Sequence, residues 1–197
     1  LAQLAAALPR ERAEARRKLA WEALALDPGE LLAPCVLIDD ALDALERQLP
    51  KGPCLDAGRE PCVAEVEGLL GRLEQGSAQS VHALVSRARL LVLRGRSREA
   101  EALLDQRCPL LEERAECLGA KLSLLLQGSA QSYEEAAKQL LAASCRGAST
   151  CAAALDRVAL GHEQRGELGS AVARLEQALQ EQATEERYED EGALGQY

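Results

Sequence analysis

Three stretches of this chain repeat one pattern: an apolar helical run, a glycine, then a second run carrying alanine and leucine at fixed steps. The clearest is Ser80-Val-His-Ala-Leu-Val-Ser-Arg-Ala-Arg-Leu-Leu-Val-Leu-Arg-Gly-Arg-Ser-Arg-Glu-Ala-Glu-Ala-Leu-Leu-Asp105. It predicts a helix from about 81, a break at Gly95-Arg96-Ser97 and a second helix from about 98, with Ser80 and Ser97 as N-caps. Residues 155–179 repeat the shape around a turn at Gly166, and residues 121–143 repeat it with a helix ending at Gly128 and another starting after a Ser132 cap. Aligning the second helices brings Ala100, Ala136 and Ala171 into register, and likewise Leu104, Leu140 and Leu175. Ala143 and Ala178 share a third position, filled by Arg107 in the first copy, and the spacing is 35 to 36 residues. Small residues at a recurring position let helices approach closely, and a leucine one turn later fills the gap. A fixed period of this length is the signature of stacked helix pairs.

Composition points the same way. Of 197 residues 47% are hydrophobic, almost all Leu and Ala, while Phe and Met are absent and aromatics total 2%. Leu and Ala are strong helix formers, and the β-branched and aromatic residues that favour strands are scarce. The expected class is all-α, a right-handed solenoid of four to five antiparallel helix pairs forming one domain over 1–197. A net charge of -9 and a pI near 4.9 disfavour nucleic acid, which needs a basic stripe. The locally basic run Arg10–Lys18 reads as a mixed-charge helix face, and the chain closes on an acidic segment over 183–197. No stretch approaches the ~18 apolar residues of a membrane span. Because the sequence begins at Leu1 and lacks methionine, a preceding segment is expected, either a removed export signal or residues trimmed away. A lipid or transmembrane anchor there is compatible with that expectation.

A period near 35, a glycine at the inter-helix turn, then Ala, a large apolar residue and Ala at fixed steps resembles the tetratricopeptide repeat. Gly166-Glu-Leu-Gly-Ser-Ala-Val-Ala-Arg-Leu-Glu-Gln-Ala-Leu179 is similar to that family's second helix. Trp21-Glu-Ala-Leu-Ala-Leu-Asp-Pro28 resembles a repeat's end, where Asp-Pro closes the helix because proline holds the residue before it extended. The resemblance covers about 80–180 and part of 10–50, while 50–62, with Lys51-Gly-Pro and Gly58-Arg-Glu-Pro, reads as a stapled loop. Leu84, Leu91, Leu124 and Leu155 stand where the family's first helices carry aromatics. The duplicated Gln75-Gly-Ser-Ala-Gln-Ser80 and Gln127-Gly-Ser-Ala-Gln-Ser132 read as capped turns, since they lack the lysine of a phosphate loop.

The resemblance implies a concave groove lined by the first helix of each repeat, which binds peptides or partner domains. Carried over by position, the groove includes His82, Val85, Ser86, Arg89 and Leu93, then Leu118, Leu122 and Leu126, then Asp156, Arg157, Leu160, Glu163 and Gln164. The family's carboxylate-clamping members use Lys, Asn and Arg at groove positions. Here those slots hold mainly Val, Leu and Asp, so a hydrophobic helix or extended segment is the expected guest.

Seven cysteines fall on this repeat in a telling way. Cys54 and Cys62 bracket the Gly/Pro loop, while Cys108 and Cys117, and Cys145 and Cys151, bracket connections between repeats. Each pair would close a loop of about ten residues, a constraint worth about 2.6 kcal/mol by chain entropy. Reduced cysteines packed against alanine are the alternative, and Cys35 is left over unless it takes Cys54 or Cys62. Zinc prefers CxxC spacing with nearby histidine, and neither His82 nor His162 has a cysteine within four residues. Disulfides would imply an oxidising compartment. With an Ala/Leu/Arg-rich composition typical of GC-rich bacteria, the expected address is a periplasm or an envelope lipoprotein, and cytoplasm if the thiols are reduced.

No phosphate loop, zinc-protease, nucleophile-elbow or dinucleotide motif occurs in the sequence. Asp39-Asp40 with Asp43, and Glu112-Glu113, lack a calcium loop's glycine and read as solvated helix faces. No catalytic residue, metal ligand or cofactor is therefore expected. The expected function is a protein-binding scaffold in a bacterial envelope, against a sensor or docking region of an anti-sigma factor or kinase, or an enzyme using a cysteine. The thiols decide the compartment: unfolded protein should titrate one free thiol before reduction and seven after, whereas seven throughout removes both disulfides and export.

Overall fold

Runs of Leu and Ala punctuated by Gly and Pro fold as one helix after another in a computed structural model of the chain. It describes residues 1–9, 12–47, 54–55, 58–77, 80–111, 113–127, 130–145, 148–178 and 180. Arg10, Glu112, Gly128, six residues of the loop expected over 50–62 and the acidic segment 183–197 lie outside these. Among the described residues there is no strand, so the all-α class holds. No helix among them is long and apolar enough to cross a membrane.

The chain divides into two compact units, Leu1–Arg107 and Cys108–Tyr197. The first contains α1 (Ala2–Ala7), α2 (Ala13–Leu26), α3 (Leu32–Glu46), α4 (Arg59–Gly76), α5 (Val81–Leu93) and α6 (Ser97–Arg107). The second opens on a 3-10 turn (Cys108–Leu110), then α7 (Arg114–Leu124), a 3-10 turn (Leu125–Gln127), α8 (Ala130–Ser144) and α9 (Ala148–Gln164). A further helix, α10, spans 168–178.

Local chemistry sets many of these ends. The Ser80 hydroxyl accepts the Ala83 N–H at 3.2 Å, capping α5. Gly95 and Gly166 close the two predicted turns with φ of +74° and +77°, the left-handed region where glycine costs least. Asp27, before Pro28, is extended (φ −137°, ψ 97°), ending α2 at Leu26.

Other boundaries differ from the sequence reading. Arg96, not Ser97, stands before α6, and its guanidinium reaches Glu99 at 2.6 Å. Ser132 lies inside the first turn of α8, which starts at Ala130. Helix α4 starts at Arg59, so Cys62 and Pro61 belong to a helix and not to a loop. Proline fits there because an N–H in the first turn has no intrahelical partner to lose.

In the first unit α3 touches α1, α2, α4 and α5. Ten of its fifteen residues are buried, among them Leu37, Ile38, Leu42 and Leu45. Its acidic run is not the solvated face expected from sequence. Asp40 is buried and takes the Arg16 Nε–H at 3.0 Å, while Arg16 Nη1 donates to the Leu8 carbonyl at 2.7 Å. Part of the basic run thus faces inward. Asp43 and Glu46 accept from Arg89 of α5 at 2.8 Å, with Asp39 at 3.5 Å. Burial works against the charge of Arg89, and the hydrogen bonds and attraction of Glu46 and Asp43 more than reverse it, keeping the guanidinium protonated.

Cys35, half-buried on α3, donates its thiol to the Leu31 carbonyl at 3.2 Å. Burial, helped by Asp39 and Glu30, pushes that thiol up to about 11. The Arg16–Asp40 pair is buried on both sides, at 10% and 5% side-chain exposure. Asp40→Ala leaves a buried guanidinium without its carboxylate and should cost about 3–5 kcal/mol in urea unfolding, whereas Asp27→Ala on the exposed α2–α3 turn should stay within about 1 kcal/mol.

Candidate functional site

The cysteines come together as the sequence spacing suggests. Cys54–Cys62, Cys108–Cys117 and Cys145–Cys151 lie at disulfide distance, with Cα separations of 4.9, 5.5 and 4.1 Å. Cys35 is the remaining thiol. The three pairs fit an oxidising location.

The expected groove residues divide between the two units. In the first, His82, Val85, Arg89 and Leu93 lie on α5. Leu93 packs on the core, Ser86 is buried, Arg89 is held by the acidic side of α3, and His82 Nε2 lies 3.7 Å from Asp39. Val85 is half-buried. In the second unit Leu118 and Leu122 of α7 are buried at 2% exposure, and Asp156 and Glu163 of α9 face outward.

Five expected residues of the second unit meet in one place. Leu122 and Leu126 from the α7 end, with Arg157, Leu160 and Gln164 from α9, line an open cavity of about 240 Å³. Helical spacing explains the set, since 122 and 126 are one turn apart and 157, 160 and 164 follow one face of α9. Ser123, Tyr133 and Gly161 complete the lining. Sequence reasoning missed these three, although glycine inside an otherwise helical run was a signal of close packing.

Tyr133 forms the floor. Its ring is fully buried, and its hydroxyl donates to the Val158 carbonyl at 3.0 Å. A Cβ on Gly161 would overlap that hydroxyl, so glycine admits the tyrosine here. Burial pushes the phenol up to about 12. Gly119 on α7 leaves room in the same manner for the Arg157 guanidinium.

Charged groups secure the cavity's rear. Arg165 lies over the Tyr133 ring, 5.0 Å from its centroid, donates to the Leu126 carbonyl at 3.1 Å and reaches Glu167 at 3.0 Å. His162 is buried edge-on to Tyr133 with centroids 5.1 Å apart, and its Nδ1 lies 2.7 Å from Glu167. Its Nε2 is 3.2 Å from Glu134 without hydrogen-bond alignment. His162 therefore serves packing and a local hydrogen-bond network with Glu167 and Arg165. Its bond to Glu167, followed by that of Arg165, holds the Glu167 carboxyl below its usual range.

Among the described residues no three His, Cys, Asp or Glu side chains gather as a metal site would require. Compared with family models, curated proteins and solved structures, the chain matches none.

The lowered Glu167 fixes the sign of a pH effect. Its contribution is fully present above the ordinary value of 4.5 and is lost as pH falls through the lowered one. Thermal unfolding of Glu167→Gln should lie below wild type at pH 7 and converge with it in acid; a constant offset across that range would exclude this network as the source.

Proposed function

We propose that this chain is a non-catalytic protein-interaction module, a divergent tetratricopeptide-like stack of antiparallel helix pairs that holds a partner segment. Its proposed address is a bacterial envelope, in the periplasm or on a lipoprotein. The observation that carries the reading is the cavity between α7 and α9, where leucines from alternate helices leave apolar surface open and Leu160 is 53% exposed. A recess lined by leucines together with Ser123, Arg157 and Gln164 offers an anchoring side chain both an apolar seat and polar contacts.

Two further observations support it. Within the first unit α3 touches both α1 and α5, and within the second α7 touches α9, so alternate helices follow one another as the first helices of stacked pairs do. The cysteine pairs at the starts of α4, α7 and α9 fit an oxidising place. A photoreactive residue replacing Leu160 should crosslink one dominant protein in the native compartment, and Leu126→Asp should remove that product. An identical pattern from a photoreactive residue at Glu101, on α6, would overturn the reading.

A further inference from the structure

We infer that the cavity of the second unit takes an acidic amphipathic segment, with an aliphatic side chain seated among the leucines and a carboxylate paired to Arg157. This rests on the interaction-module reading and adds the chemistry of the guest. The lining contains one charged side chain, Arg157, and no carboxylate. Arg165 and Arg174 are taken up by Glu167 and Glu134, whereas no carboxylate among the described residues pairs with Arg157. Nor is its position casual. The guanidinium lies against α7 where Gly119 lacks a Cβ, and a Cβ there would meet it and require it to shift. Glycine in a helix interior costs stability relative to alanine, and here it makes room for a cation beside an apolar recess.

Charge complementarity selects the partner. A neutral apolar segment would cover the leucines and leave the guanidinium desolvated without a partner, and a basic one would be repelled. A carboxylate about one helical turn from an aliphatic anchor satisfies both parts of the site. The recess of about 240 Å³ falls below the ~300–1,000 Å³ usual for small-molecule pockets, which favours a side chain over a whole cofactor.

A displayed random-peptide library selected against the full chain tests this, with Arg157→Glu selected in parallel. The position is exposed, and circular dichroism with thermal unfolding checks that the variant keeps its fold. Wild type should enrich Asp or Glu within a turn of Leu, Ile or Val. A synthetic peptide of that sequence should bind Arg157→Glu at least about tenfold more weakly. Selection on the variant should exchange the acid for Lys or Arg. Gly119→Ala, which keeps the charge and displaces it, should weaken the same peptide. Enriched peptides that are apolar and uncharged, with affinity unchanged by Arg157→Glu, would overturn the acidic guest and leave the groove standing. No enrichment over a Leu126→Asp/Leu160→Asp variant would overturn the groove itself. Self-association in sedimentation that Leu160→Asp abolishes would make the occupant a second copy and overturn the inference.

Discussion

A chain without phenylalanine or methionine has to build its core from leucine and alanine, and this sets how near its helices come. In α3, Ala33, Ala41 and Ala44 are buried alongside Leu37, Ile38, Leu42 and Leu45. In the second unit Ala136, Ala137, Ala152 and Ala159 are buried, as is Tyr133. Small residues bring helix axes toward the lower end of the ~8–10 Å range, so each leucine meets its neighbours with little slack. Such packing leaves few places for a large ring. Tyr133 is admitted only because the facing helix presents Gly161.

Close packing also governs the polar groups. A charge enclosed between near helices has no water to turn to and must be paired. Asp40 therefore meets Arg16, and buried Lys121 reaches Gln139 at 3.2 Å. Buried His162 likewise places its Nδ1 2.7 Å from Glu167. Such pairs contribute less to net stability than their geometry suggests, because desolvation offsets much of the attraction, and removing one partner is costly. They act mainly on which faces meet. Arg89, bound to two carboxylates of α3, fixes the rotation of α5 in a way a leucine contact would not.

The helical class, the turns at Gly95 and Gly166, the Ser80 cap and the neighbouring cysteine pairs were legible because each rests on local chemistry. The extent of α4 was not, since Gly58 and Pro61 read as loop formers and a first-turn proline carries no penalty. Arg16 and Asp40 were hidden for another reason. Alternating charges look alike whether they face water or a neighbouring helix, and only tertiary contact separates the cases. The second-unit cavity was half legible. Positions 122, 126, 157, 160 and 164 were named through the resemblance to a repeat family, while Tyr133 enters from α8 and its role depends on glycines whose sequence context says little.

The cysteine pairs have a consequence for how the chain is made. Each joins a cysteine to the next one along, across 8, 9 and 6 residues. Short loops close at the least entropic cost, and the bias is quantitative at Cys54. Cys35 lies nineteen residues behind it and Cys62 eight ahead, and loop closure alone favours the nearer thiol by about fourfold. Once Cys62 has been made, proximity along the thread thus favours it over Cys35 as the partner of Cys54. Proximity biases connectivity before tertiary contact forms, and the competing bridge, Cys35–Cys54, closes a longer loop and is the pairing that reshuffling has to correct.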